Sequence, residues 1–324
     1  MNAFNAVLRM VTIGALIGIA SSAVAQQDYP NKPIRFITPY VPGGSTTVVA
    51  RVIGQKLTES WGQQVIIENR PGGNTIIGTE VVTKSKPDGY TILLAGSTLA
   101  VNPSLFPTPY DPIKDLALVA TVASYENVLV VHPSVPANNL QELIALAKSR
   151  PGQINYATSS AGGSAHLGAE LLNTVAGIKT QHIPYKGGGQ AVTDLIAGQV
   201  QMMISVPTNV VGHIKNGRLR ALAVSGEKRM SALPQVPTFS EAGLPGIVLK
   251  TWQGVAAPAG TPMAIIQKMS SEIAKIVFLP DVKEMLEKQG FDPFISTPEQ
   301  CAALLKADMA RYAKIIKDAN IKAE

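Results

Sequence analysis

Cysteine is nearly absent: Cys301 is the single thiol in 324 residues. That excludes an intramolecular disulfide and any cysteine-based metal cluster. Cys301 falls on the spacing Cys301, Leu304, Leu305, Met309, Tyr312, Ile316, the apolar face of a helix. The spacing predicts a buried, inert thiol. Histidine is scarce too. The four histidines are scattered, and neither an H-E-x-x-H pattern nor any other Asp/Glu/His cluster offers metal-ligand spacing, so no metal is expected. Charge is sparse at 15 %, and the 28 basic and 22 acidic residues are spread without runs. A mild excess of that kind does not point to nucleic acid, and it suits a small anionic ligand.

Long hydrophobic runs are missing as well. The one apolar stretch of note, Met10 to Ala20, follows Arg9 and leads to Ala23-Val24-Ala25. It falls short of the ~20 residues a bilayer requires. A positive start, a short apolar core and an A-x-A exit describe a secretory signal peptide over residues 1–25. With no lipobox cysteine before the cut, the expectation is a soluble, non-membrane-spanning monomer of the periplasm that begins near Gln26.

Catalytic signatures are absent in turn. Gly162-Gly163-Ser164-Ala165-His166 approaches a G-x-S-x-G elbow but ends in His. Gly73 to Gly78 has P-loop glycine spacing, yet Thr79 stands where the phosphate-clamping Lys belongs. No G-x-G-x-x-G opens a helix after a strand, which leaves no cofactor to expect. His166 opens a helix and is a possible base, although a satisfied structural histidine is the plainer reading. No convincing nucleophile–base pair remains, so no catalytic residue and no enzyme is expected.

What is present is alternation. Strands are predicted at Ile34–Thr38, Val65–Glu68, Thr91–Ala95, Ile154–Ala157, Gln181–Pro184, Met202–Ser205 and Arg220–Val224. Helices are predicted at Val48–Glu59, Ile76–Thr83, Leu140–Ser149 and Ala165–Ala176. This rhythm predicts an α/β fold of mostly parallel sheets flanked by helices. A Pro/Gly-rich stretch from Leu233 to Pro262 then breaks it, holding one apolar patch at Trp252–Ala257. Helices at Pro262–Val277, Asp281–Lys288 and Pro298–Lys317 follow, and they are expected to pack back on the first half. The expected division is residues 26–125 plus 246–324 as lobe 1 and 126–245 as lobe 2, with ligand held at strand ends facing a cleft.

One local pattern recurs in both halves: a strand, a loop of Gly and small hydroxyl residues, then a helix. It occurs at Val41–Thr47, Asn69–Thr75, Ser159–Ser164 and Tyr185–Gly189. Glycine admits close backbone approach, Ser and Thr add hydroxyl donors, and a helix start offers unpaired N–H groups to a carboxylate.

These loops carry a resemblance. The blocks YPNKPIRFITPYVPGG, WGQQVIIENRPGGNTIIG, KPDGYTILLAG, AHLGAELL, HIPYKGGGQAVTDLIAGQVQMM, GRLRALAV, LPQVPTFSEAGLPG and APAGTP run in order from Tyr29 to Pro262. In combination the sequence resembles the Bug receptors, the solute-binding proteins of tripartite tricarboxylate transporters. The resemblance implies a periplasmic two-lobed Venus flytrap that closes on a small carboxylate and passes it to a membrane permease. It implies ligand contacts from Tyr40, Pro42, Gly43, Gly44, Ser45, Thr46 and Thr47, with Ser97 nearby. Across the cleft it implies Ser160, Gly162, Gly163, Ser164 and His166 gripping the opposite carboxylate, with Tyr185 and Gly187 beside them. The first loop of the family usually reads GG-x-x-D, and here Thr47 replaces the Asp, which leans toward a purely anionic ligand. A sensory co-receptor that docks on a sensor kinase is the alternative compatible with the same sequence.

Overall fold

The computed structural model describes residues 29–159, 162–185, 187–319 and 321. The predicted leader, Ser160 and Lys186 lie outside the described residues. Strands β1 (Ile34–Thr38), β2 (Val65–Asn69), β3 (Thr91–Ala95) and β4 (Leu116–Glu126) begin one sheet. Strands β5 (Val128–Val131), β6 (Asn155–Thr158), β7 (Gln181–Pro184), β8 (Met202–Ser205) and β9 (Arg220–Val224) make a second. The chain then returns to the first sheet as β10 (Lys250–Pro258) and β11 (Asp292–Pro293).

The first sheet runs β11-β4-β10-β3-β1-β2 and the second β7-β6-β8-β5-β9. Each has a parallel core of the kind expected, namely β2-β1-β3 and β7-β6-β8. The strands nearest the crossings run against it. β10 is antiparallel to β3 and β4, and β5 to β8 and β9, so both sheets are mixed. Alternating side chains face opposite sides of a strand. Accordingly Ile34 and Phe36 of β1 enter one core while Ile37 enters another, and Leu129 and Val131 of β5 face away from Val128 and Val130.

Helices cover all four faces. They are α1 (Ser45–Trp61), α2 (Ile76–Thr83), α3 (Ser97–Leu105), α4 (Leu140–Ser149), α5 (Ser164–Ala176), α6 (Gly188–Ile196), α7 (Pro207–Lys215), α8 (Met263–Val277), α9 (Pro280–Lys288) and α10 (Pro298–Asp318). The stripe Ile265, Ile266, Met269, Ile273, Ile276 and Val277 is buried along α8, against α1 and the first sheet. Fully burying one such side chain contributes about 1.5–3 kcal/mol. α10 starts with a capping box between Thr297 and Gln300, and Pro298 occupies its first turn. It buries Cys301, Leu305, Tyr312 and Ile316, and burial pushes the Cys301 thiol up to about 12, as fits an inert core thiol. Asp308 of α10 accepts a 2.8 Å hydrogen bond from Trp252 Nε1 and another from Arg311, tying the last helix to β10.

Two crossings join the sheets, and they are stitched together. Asn127 lies between β4 and β5. Its N–H donates to Ser225 Oγ at 2.9 Å, and the Ser225 N–H donates back to the Asn127 carbonyl at 2.9 Å. Ser225 Oγ also donates to the Leu249 carbonyl at 2.9 Å, just before β10 begins.

Candidate ligand-binding cleft

The two halves face each other across loops at strand C-terminal ends. A Cβ placed on Gly162 would stand 2.7 Å from Leu105 Cδ1 and 3.4 Å from Asn74 Nδ2. A Cβ on Gly187 would stand 3.4 Å from Val41 Cγ2. The second-half loops therefore touch the first-half loops, and the conformation is closed. Gly162 has φ +70° at this close approach, a backbone only glycine adopts freely.

Four helices begin at the facing loops, α1, α3, α5 and α6, with Gly44, Gly96, Gly163 and Gly187 as their N-caps. None of these caps carries a side-chain hydrogen bond. Asn139 caps α4 and Thr297 caps α10 with side chains, while α2, α7, α8 and α9 also begin without a side-chain cap, so what sets the four apart among these α-helices is glycine at the cap. The first N–H groups of a helix carry partial positive charge and want acceptors. Glycine caps leave them open to an anion.

The first-half rim is a polar network. Asn69 Nδ2 donates to Thr38 Oγ1, the Tyr40 carbonyl and Thr47 Oγ1 at 2.6, 2.9 and 2.9 Å. Thr47, 0 % exposed, also donates to the Val41 carbonyl at 3.4 Å, so its hydroxyl fastens the loop from within. Pro42 and Gly43 stand exposed at the tip, Gly43 at φ +86°. Thr46 is buried behind them in the first turn of α1, which Ser45 opens. Tyr40 Oη and Thr98 Oγ1 are 2.9 Å apart, and Thr75 Oγ1 donates to Thr98 Oγ1 at 3.0 Å. Asn74 and Asn102 exchange hydrogen bonds of 2.8 Å in both directions. Ser97 is buried as the first residue of α3. Asn74 and Thr75 hold φ of +51° and +77°. Such backbone costs about 1–3 kcal/mol per residue and persists where a loop has a task.

Opposite, Ser164 opens α5 and accepts a 3.3 Å hydrogen bond from Asn127 Nδ2. The Tyr125 phenol lies beside Ser164, Tyr40 and Thr251, pushed up by burial. His166 is buried, and its Nδ1 accepts the Gly162 N–H at 2.9 Å. Its ring stacks 4.1 Å from His182, and burial followed by that neighbour lowers its pKa to about 3. His166 is thus a neutral brace for the Gly162 turn. Tyr185 donates to Asp194 at 2.8 Å, anchoring the turn before Gly187 to α6. Burial and then Asp194 push that phenol up to about 12.

Sequence reasoning missed Thr98, Asn102, Tyr125, Asn127, Thr251 and Gln253. One signal was available, since Asn127 is a lone amide between the apolar runs Leu116–Tyr125 and Val128–Val131. Among the described residues no cluster of three or more His, Cys, Asp or Glu could hold a metal, and no helix is long and apolar enough to cross a membrane. Two grooves among the described residues, of about 400 and 260 Å³, lie elsewhere, one lined by Arg220 and Pro237, the other by Thr193 and His213.

Two mixed α/β sheets joined by paired crossings, closing helix starts around a polar cleft, define a solute-binding protein of the periplasmic two-lobed type. Residues 49–321 match the tripartite tricarboxylate transporter family receptor, and the chain belongs to that family of periplasmic receptors, which are not enzymes. It is 39 % identical over 318 residues to Protein BugT of Bordetella pertussis, covering 97 % of this chain and 98 % of BugT. An R. palustris protein solved with adipate superimposes with TM-score 0.87 at 31 % identity, covering 91 % of this chain and 99 % of that one. MatC from Rhodopseudomonas palustris, solved with malate, gives 0.81 at 29 % identity, covering 89 % and 100 %.

Proposed function

We propose that this receptor captures a small di- or tricarboxylate, aliphatic or aromatic, between its lobes and delivers it to the membrane permease of a tripartite tricarboxylate transporter. The observation that carries this reading is the set of four glycine-capped helix starts on facing loops, backed by uncharged hydroxyl and amide side chains. Hydrogen bonds to a charged group contribute about 1.5–3 kcal/mol each. Five or six of them, less the cost of immobilising the ligand, reach the ~8 kcal/mol of micromolar affinity. The adipate and malate held by the related proteins are ligands of this class.

In this reading the contacts come from Tyr40, the 42–47 loop and Ser97 on one side. On the other they come from the loop before α5, with Ser164, and the turn at Gly187. The lobes divide at Asn127 and again within 225–249. The leader is removed ahead of Gln26, which N-terminal sequencing of the periplasmic protein tests. A thermal-shift screen over a carboxylate panel tests the function itself. Ligand at about 100 times its dissociation constant adds ~2.7 kcal/mol of stability. A panel of di- and tricarboxylates that leaves the unfolding midpoint unmoved would refute the reading.

A further inference from the structure

The floor between the helix starts holds buried polar atoms that find no partner among the described residues. Asn127 is 0 % exposed and Gln253 3 %, yet among the described residues Asn127 Oδ1 and Gln253 Oε1 have no hydrogen-bond partner. A buried amide oxygen without a donor is costly, and it marks a position that something else completes. The remaining contact of the Gln253 side chain, Nε2 to Thr46 Oγ1, stretches to 3.5 Å.

Register places these groups in one row. Thr251 lies opposite Tyr125 and Gln253 opposite Ala123 across β10 and β4. Directly paired residues share a face of the sheet, so Gln253, Thr251 and Tyr125 line the same side. Asn127 continues the row at the crossing. Its ends meet the two lobes: Thr46 in the first turn of α1 beside Gln253, and Ser164 at the start of α5 beside Asn127. Helix starts favour negative charge at both poles. Between them stand unfilled acceptor oxygens, which repel a carboxylate and accept from a hydroxyl.

We infer that Asn127 and Gln253 form a specificity-determining floor that selects a carboxylate bearing an uncharged hydrogen-bond donor, such as a hydroxyl, on the chain between its acid groups. The inference rests on the carboxylate reading above and adds the part of the ligand that the helix starts do not see. A site with a buried group built for a hydroxyl discriminates against the analogue lacking it, because the acceptor is then left unpaired.

Matched pairs test this by titration calorimetry: succinate with malate, glutarate with 2-hydroxyglutarate, and adipate with 3-hydroxyadipate. In the pair that wild type binds most tightly, the hydroxylated acid should bind at least about tenfold more tightly than its partner. In Gln253→Met, which keeps the length and removes the acceptor, that ratio should collapse toward one. Unfolding midpoints of wild type and variant accompany the titrations. Equal affinity within the pair in wild type overturns the floor without touching the carboxylate reading, and that measurement needs no variant. A Gln253→Met protein that keeps the wild-type ratio overturns it as well. Failure of wild type to bind any carboxylate overturns the underlying reading and the floor with it.

Discussion

Ser164 stands where a helix start, a hinge amide and the cleft meet, so its hydroxyl has two separable roles. If it contacts ligand, Ser164→Ala should lower affinity by about 1–3 kcal/mol. If it serves only the hinge amide, loss of the Asn127 hydrogen bond should lower stability by about 0.5–1.5 kcal/mol with affinity intact. Gly43→Val should do more, because its φ of +86° is strained for any branched residue and a side chain there projects into open space at the loop tip. Calorimetry with parallel unfolding curves separates the outcomes; wild-type affinity in both variants would place the site elsewhere. His166 gives a pH signature. Its folded pKa of about 3 lies below the ordinary ~6.5. The unfolded chain therefore binds a proton that the folded chain refuses between those values. The stabilisation is present above ~6.5 and is lost as pH falls toward 3. Between pH 6.5 and 5, above most carboxylate titration, wild type should lose stability at up to ~1.4 kcal/mol per pH unit. His166→Asn should flatten that slope; parallel slopes would sink the assignment.

At the scale of elements, legibility followed periodicity. The α8 stripe repeats at helical spacing and was readable from sequence, as were β1, β3, β8 and β9 as compact apolar runs. α3 was not, because Ser97 to Asn102 are buried on every side and Pro103 sits within the helix, leaving no polar face to mark a period. β10 was visible only as an apolar patch, since Gly254, two register shifts and a Pro/Gly-rich approach hide a central strand. The glycine loops were legible as turns leading into helices for the same local reason: their conformational need is written in the residues. The polar floor was not, because Asn127 lies more than 100 residues from Thr251 and Gln253 in the chain, and only strand register gathers them. The junction of α10 with β10 rests on Asp308, which serves both Trp252 and Arg311. Asp308→Ala strands a buried indole N–H and a partly buried guanidinium, and should cost about 2–4 kcal/mol in denaturant unfolding. A loss below ~0.5 kcal/mol would show that packing alone holds the helix.

At the scale of the molecule, the lobes meet through Gly162 with Leu105 and Phe106, and again where a Cβ on Gly290 would stand 2.5 Å from Pro207 Cβ. Ligand should hold this closed form, while the empty receptor opens about the stitched crossings at Asn127 and Ser225. Small-angle scattering should then report a smaller radius of gyration at saturation, and an identical profile with and without bound ligand would remove hinge closure from the mechanism. The position of β10 between β3 and β4 has a further consequence, for the order in which the chain folds. Synthesis and export both proceed from the N-terminus, so β1 to β4 emerge while the strand that must lie between two of them is still more than 100 residues away. The second sheet has no such debt: β5 to β9 are contiguous and can close as soon as they appear. The later half of the ligand cleft is thus built before the earlier half, and the first sheet stays open, with two unpaired inner edges exposed to other strands, until the chain is nearly complete.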